Sequence, residues 1–396
     1  MDPAPTLLSL DDLHSYSAAC AYSDAHCQNQ QDFRTKFSSQ QESEAPRKPI
    51  LKIASIDGGG SRGIIPAMMM DQIEKITGSK ISELFDLIAG TSTGAIIATA
   101  LNIPTNPGSL QPLYTAADIV DLFEEQSKVV FPSSFFSFVW QPFTSKYSPT
   151  GLYSVLKTHC GDFRLSESLT EVLIPAAEVS SNTPTPWIFT KQGVITKTAL
   201  TDLERVNLST LRAWEISAAS AAAETYFPLK PLDIGSQKYL FVDGGNFSNN
   251  PSWDAVSYAE SLGDTPQVVV SFGTGYCPTS MAPSWSCNSG SLYWAANFPT
   301  TTLNLAAENV ISNLQMTFNR QGRNLFVLQP KLDAAEYVLD GSTPAHMQAL
   351  KKRAYDYIEE NKSTIERICQ CLKPNYKPLH NDSQTDCDTS AISINS

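Results

Sequence analysis

Charge and histidine are both scarce in this 396-residue chain, and each scarcity removes a class of function. Only 17% of the residues are Asp, Glu, Lys or Arg, against about 25% in an average soluble domain. The 28 basic residues face 40 acidic ones, for a formal net charge of −12. A chain so short of Lys and Arg is a poor general nucleic-acid binder, because backbone binding depends on neutralising phosphates. No run of eighteen apolar residues occurs, which argues against a membrane-spanning helix. The start, MDPAPTLLSLDD, has no basic stretch leading into an adequate apolar one, so no signal peptide is read there. The eight cysteines form no CxxC knuckles with histidines at zinc spacing, and no DxDxDG run offers a calcium loop, so no metal or other cofactor is expected. Free thiols are one reading of the cysteines; a bridge in the tails or between Cys277 and Cys287 is the other. With 42% hydrophobic residues, the chain has enough apolar matter for a large core without cross-links.

Residues 1–47 are polar and hold no sustained period, and 372–396 form a polar tail with no reason to pack. Between them, 48–371 reads as one domain without an internal repeat or a clear linker. LKIASI is a short strand, GGGSRG a backbone turn, and Ile64 to Ile76 a helix that tolerates Pro66 in its first turn. LFDLIAG is a second strand that runs directly into TSTG and the helix AIIATAL. Two strand-turn-helix units in about fifty residues predict an α/β layered fold with a mainly parallel sheet, whose ligands collect at the carboxyl ends of the strands. Further on, Thr115 to Ser127 reads as a helix, SLTEVLIPAAEV and PWIFTK as strands, and AWEISAASAAAETYFP as a helix ended by Pro228. KYLFVDGG and QVVVSFGTG read as strands, and 300–320 and 344–370 as helical. The aromatic stretch from Phe131 to Phe143 either packs between helices, or lines an apolar pocket or touches a lipid surface.

Gly90-Thr91-Ser92-Thr93-Gly94 is a GxSxG between an apolar strand and a helix, where small residues permit the cramped turn that exposes a serine hydroxyl. Ser92 is therefore the candidate nucleophile. A base is needed, and the chain has only five histidines: His14, His26, His159, His346 and His380. His14, His26 and His380 lie in the polar ends; His346 falls late enough for the Ser-Asp-His order of ordinary α/β-hydrolases, but it lies in a helix that Ser342 or Thr343 could cap. Asp243 is the better partner. It closes the strand KYLFV, and Gly244 and Gly245 let the backbone turn away beneath a ligand. The third element, Asp57-Gly58-Gly59-Gly60-Ser61-Arg62-Gly63, offers backbone amides to an oxyanion at the start of a helix. Its GxGxxG spelling does not make a dinucleotide site, since no acid closes the second strand, and no GK[ST] follows to make a P-loop.

DGGGSRG at 57–63, GTSTG at 90–94, SAASAAAETYFP at 217–228 and DGG at 243–245 together resemble the patatin-like phospholipases and lipid acyl hydrolases, in family order and over about residues 50–365. The resemblance implies a three-layer α/β/α fold around a central, mainly parallel sheet, and a Ser-Asp dyad carried by Ser92 and Asp243. It also implies an oxyanion hole from Gly58, Gly59 and Gly60, with Arg62, Gly90, Gly94 and Gly244 in support. Family members often carry proline where this chain has Glu224, which faces either solvent or the cleft mouth. The implied activity is hydrolysis of fatty acyl esters through an acyl-enzyme, on membrane or micellar lipid met peripherally. A storage or lipid-binding protein with little turnover is the alternative. The expected location is cytoplasmic, because a glycan on the Asn246 sequon would crowd the cleft; extracellular origin is the other reading. The sequence names no protein activator.

Overall fold

Apolar runs buried on both faces are what a parallel sheet requires, and LKIASI, LIAG and VVVSF supply them. Residues 47–132, 144–196, 211–278 and 291–373 are described by a computed structural model, with 291–303 described by backbone alone. The N-terminal extension 1–46, the aromatic stretch 133–143 and the tail from 374 lie outside the described residues. The strands are β1 (Lys52–Ile56), β2 (Leu87–Gly90), β3 (Glu171–Glu178), β4 (Thr185–Thr190), β5 (Gly193–Ile195), β6 (Lys230–Ile234), β7 (Gln237–Asp243), β8 (Val268–Phe272) and β9 (Asn324–Leu328). The longer helices are α1 (Ile64–Thr77), α2 (Thr93–Leu101), α3 (Ala116–Val130), α4 (Thr150–Cys160), α5 (Ala213–Ser220), α6 (Ser252–Ser261), α7 (Ser291–Gln321), α8 (Pro344–Glu360) and α9 (Lys362–Leu372).

The sheet order is β5-β4-β3-β2-β1-β8-β9, with β7 joining β3 and β6. The strands β3, β2, β1, β8 and β9 are parallel neighbours, and the pairs of β4, β5, β6 and β7 are antiparallel. Strand alternation splits the core into two layers. Ala54, Ile56, Ile88 and Val270 pack with α1, α2, α8 and α9 on one face. Ile53, Leu87, Ala89 and Val269 pack with α6 and α7 on the other. This is the three-layer α/β/α arrangement expected.

Register then places the chemistry. Ile56 pairs with Gly90 on one side and Phe272 on the other, and Phe272 pairs with Leu328. The carboxyl ends of β2, β1, β8 and β9 are therefore level, and the next residues of each, Thr91, Asp57, Gly273 and Gln329, emerge together. Strand β7 arrives from the opposite direction. It shares with β2 the same neighbour, β3, where Leu173 pairs with Ala89 and Ala176 pairs with Asp243. Pro175, which has no N–H to leave unpaired, falls at the join. Two strands running toward each other thus bring Ser92, just past one end, to Asp243, at the other.

Several elements differ from the sequence expectation. Helix α5 stops at Ser220 instead of running to Pro228, because β7 takes the carbonyls a continuing helix would use. Gly244 N donates to Ser220 O at 3.1 Å and Asp243 N to Ala222 O at 3.0 Å. The GGGSRG turn closes as a 3-10 turn, Gly60–Gly63, leading straight into α1. The 344–370 stretch is two helices with Asn361 between them, and α7 begins at Ser291, before residue 300. Thr115 caps α3 through a capping box with Asp118, a motif worth about 1 kcal/mol. Cys277 is a free thiol, in line with one of the two readings of the cysteines, and Cys287 lies outside the described residues.

Candidate active site

Ser92 holds a backbone that serine rarely adopts, φ 55° and ψ −119°. Such a left-handed conformation costs on the order of 1–3 kcal/mol and persists only where the surroundings over-determine it. Here they do. Thr91 N donates to Ile56 O at 3.2 Å, the Thr91 hydroxyl donates to Ser248 O at 2.6 Å, and Ser92 N donates to the Ser220 hydroxyl at 3.0 Å. The flanking glycines allow the strand and helix to touch: a Cβ at Gly90 would lie 2.1 Å from Gly94 O, and one at Gly94 would lie 2.2 Å from Ile56 O.

The Ser92 hydroxyl donates to Asp243 Oδ2 at 2.6 Å. The other carboxylate oxygen accepts from Gly245 N at 2.7 Å, which fixes the plane of the acid. Burial pushes the Asp243 carboxyl up to about 7; the Ser92 and Gly245 hydrogen bonds oppose this, and the charge of Glu224 adds to it. An acid so placed is half-ready to accept a proton near neutrality, which is what a general base needs. His346 takes no part. It lies in the first turn of α8, where Thr343 caps the helix by accepting from His346 N, and its ring packs on Gly341.

The glycine loop crosses the site between β1 and α1. The Gly58 amide, expected among the oxyanion donors, is engaged, donating to Asn249 O at 3.1 Å. The amides of Gly59 and Gly60 have no partner among the described residues. Gly60 turns with φ 59°, and a Cβ there would lie 2.0 Å from Leu339 O, so only glycine fits. Arg62 ties the loop down: Nε donates to Gly59 O and Nη1 to Gly275 O, both at 3.2 Å, and the guanidinium lies 4.0 Å from the Tyr337 ring centre.

A cavity of about 800 Å³ opens over this centre, toward the upper end of the usual range for ligand sites, about 300–1,000 Å³. It has two wings. Along α2, α3 and α4 the walls are apolar, with Ile96, Ala100, Leu122, Phe123, Leu152 and Leu156. Phe131, the first residue of the aromatic stretch, also lines it. Over β8 and β9 the walls are polar, with Asp57, Asn249, Thr274, Gln329 and Tyr337.

Several cavity or clamp residues were given no role of their own in the sequence. Asp57 lines the cavity almost fully buried, its Oδ1 without a partner and its Oδ2 accepting from Gln329 at 3.3 Å; burial pushes its carboxyl up to about 8, against the Gln329 hydrogen bond and the Arg62 charge. Ser220 and Asn249 hold backbone groups of the elbow and the glycine loop. His159 is half-buried and lines the cavity from α4, 3.2 Å from the Tyr114 hydroxyl. Glu224 is at the cleft mouth, where Asn246 Nδ2 donates to it. Among the described residues no cluster of His, Cys, Asp and Glu could hold a metal ion, and no helix is long and apolar enough to cross a membrane.

Residues 54–256 match a family model described as Patatin-like phospholipase. Patatin-like protein 2 of Arabidopsis thaliana is 30% identical over 238 residues, 54% of this chain and 55% of that protein. Patatin-like protein 4 of the same plant is 26% identical over 377 residues, 85% of this chain and 90% of that protein. Probable inactive patatin-3-Kuras 1 of Solanum tuberosum is 30% identical over 225 residues, 54% of this chain and 56% of that protein. The match to Patatin-like protein 2 thus spans about half of that relative's length. Among solved structures, human GIVD cytosolic phospholipase A2 is similar with a TM-score of 0.45 and 10% identity, covering 84% of this chain and 62% of that one.

Proposed function

The chain belongs to the patatin-like phospholipase family, and from that premise we propose that it is a serine lipid acyl hydrolase of the phospholipase A or lysophospholipase type, with Ser92 and Asp243 as a catalytic dyad. The observation that carries this is the 2.6 Å hydrogen bond from the Ser92 hydroxyl to Asp243 at the floor of a cavity with one apolar wing.

In the proposed reaction the acyl chain lies along α2 and the ester carbonyl stands over Ser92. Asp243 takes the hydroxyl proton as Oγ attacks the carbonyl carbon. The open amides of Gly59 and Gly60 donate to the oxyanion, helped by the positive end of α2, whose N-cap is Ser92. Collapse of the tetrahedral species expels the alcohol, which takes the proton from Asp243. Water then attacks the acyl-enzyme with Asp243 as base, releasing the fatty acid and restoring the Ser92 hydroxyl. Arg62 acts by holding the loop that carries these amides.

Covalent labelling separates this reading from a lipid-binding protein with the same fold. A serine-reactive phosphonate adds once per chain, on Ser92, in the wild type, and adds nothing to Ser92→Ala. A wild type that stays unlabelled while still binding lipid contradicts the reading.

A further inference from the structure

The charge around the cavity mouth is one-sided. Glu224 is exposed there and lines the same cavity as Ser92 and Asp243. Its carboxylate accepts from Asn246 Nδ2, which also donates to Asp243 O at 3.2 Å. Arg62 is the only lysine or arginine among the described residues lining the cavity. It is 5% exposed, with Nε donating to Gly59 O, Nη1 to Gly275 O, and its face on the Tyr337 ring. Lys146, whose backbone N–H donates to Thr225 O at 2.8 Å, turns its ammonium to Asp340 and the rings of Tyr147 and Tyr226.

Position is fixed as well as charge. Thr225 holds φ 68°, the one positive φ besides Ser92 among described non-glycine residues. Lys146 N and Tyr147 N each donate at 2.8 Å, to Thr225 O and Tyr226 O, so the segment that presents Glu224 is pinned on both following residues. The polar wing beyond it offers amides and hydroxyls, from Asn249, Thr274, Gln329 and Tyr337, with no open cation among the described residues. A phosphate is recognised by charge-assisted donors. Here it meets a fixed carboxylate at the entrance and no free ammonium or guanidinium among the described residues behind it.

We propose that Glu224 is a specificity-determining residue that selects acyl esters whose leaving alcohol carries no net negative charge. This rests on the reading of Ser92 and Asp243 as an esterase dyad. Its effect is local to the mouth and separate from the net charge of the chain, which repels any anionic aggregate.

The test uses monomeric short-chain substrates, so that no vesicle surface contributes: dihexanoyl phosphatidylcholine, which is zwitterionic, and dihexanoyl phosphatidylglycerol, which is anionic, at moderate ionic strength. Glu224→Gln keeps a hydrogen-bond acceptor for Asn246 and removes the charge. Its kcat/KM on the anionic substrate is expected to rise about three- to tenfold, the scale of one charge pair across a partly wet cleft, with the zwitterionic substrate changed less than about twofold on the same grounds. Glu224→Asp keeps the charge and is expected to retain the wild-type ratio. An unchanged ratio in Glu224→Gln, or an equal change on both substrates, overturns the proposal. A neutral soluble ester, p-nitrophenyl butyrate, reports on the underlying reading: Ser92-dependent turnover there with an unchanged headgroup ratio removes only the role of Glu224, whereas no Ser92-dependent turnover removes both.

Discussion

A carboxylate serves as a base only when unprotonated, so the raised proton affinity of Asp243 has a kinetic signature. Its carboxyl is pushed up to about 7 by burial, and kcat/KM on a neutral ester is expected to fall as pH drops through about 7, not through the ordinary aspartate range near 4. A pH profile flat down to pH 5 contradicts the assignment. Asp57 carries a stability signature instead. Its pKa is raised to about 8 in the folded chain by burial, so the folded state keeps a proton that the unfolded state releases above about 4. The protonated form favours folding, and that advantage is lost as pH rises toward about 8, at up to about 1.4 kcal/mol per pH unit. Asp57→Asn is therefore expected to raise the melting temperature more at pH 8 than at pH 5, and an equal effect at both values contradicts it. The two carboxylates were not equally legible. Asp243 ends an apolar strand before two glycines, which is a local signal. Asp57 becomes unusual only through burial, beneath elements as distant in the chain as Gln329, 272 residues away.

Elements were legible where a local pattern decided them. The strand-turn-helix pairs around 52–77 and 87–101 are written in short apolar runs, small turn residues and helical periodicity, and they form as read. The strands β5, β6 and β9 were not read: GVI is only three residues long, Pro231 and Asp233 break the apolar run in KPLDI, and NLFVL follows directly on a long helix. The early end of α5 was hidden for another reason: its continuation AAETYFP has helix-favouring alanines, and only the arriving amides of Asp243 and Gly244 remove their carbonyls from the helix. The apolar wing also belongs to this scale. Ser92 to Ala100 spans eight residues, or about 12 Å at 1.5 Å per residue, so in the proposed reaction the wall of α2 sets the length of acyl chain held beyond Ser92. Ala100→Leu fills the inner part of that wing. Turnover of long-chain esters is expected to fall about tenfold while butyrate esters change less than about twofold, with a stability cost of about 1–3 kcal/mol from overpacking. Equal loss on both chain lengths would place the acyl group elsewhere.

At the scale of the whole molecule, one topological fact makes the site. Parallel strands with level carboxyl ends gather the glycine loop, the elbow and the polar wing on one edge of the sheet, and the antiparallel β7 delivers the acid from the opposite direction. Sequence order predicted the layered α/β fold, and the candidates read at 57–62, 92 and 243 line one cavity. Order and spacing did not foretell that β2 and β7 run head to head along β3, because register between segments about 150 residues apart leaves no mark in either. The account stands on the dyad proposed at that meeting point, and fatty-acid release from mixed lipid micelles by the wild type, Ser92→Ala and Asp243→Asn, each with and without chelator, tests it most directly. The expected result is loss of about a hundredfold or more in both variants, with folding intact and the wild type indifferent to chelator; turnover that survives in folded Ser92→Ala would contradict the account.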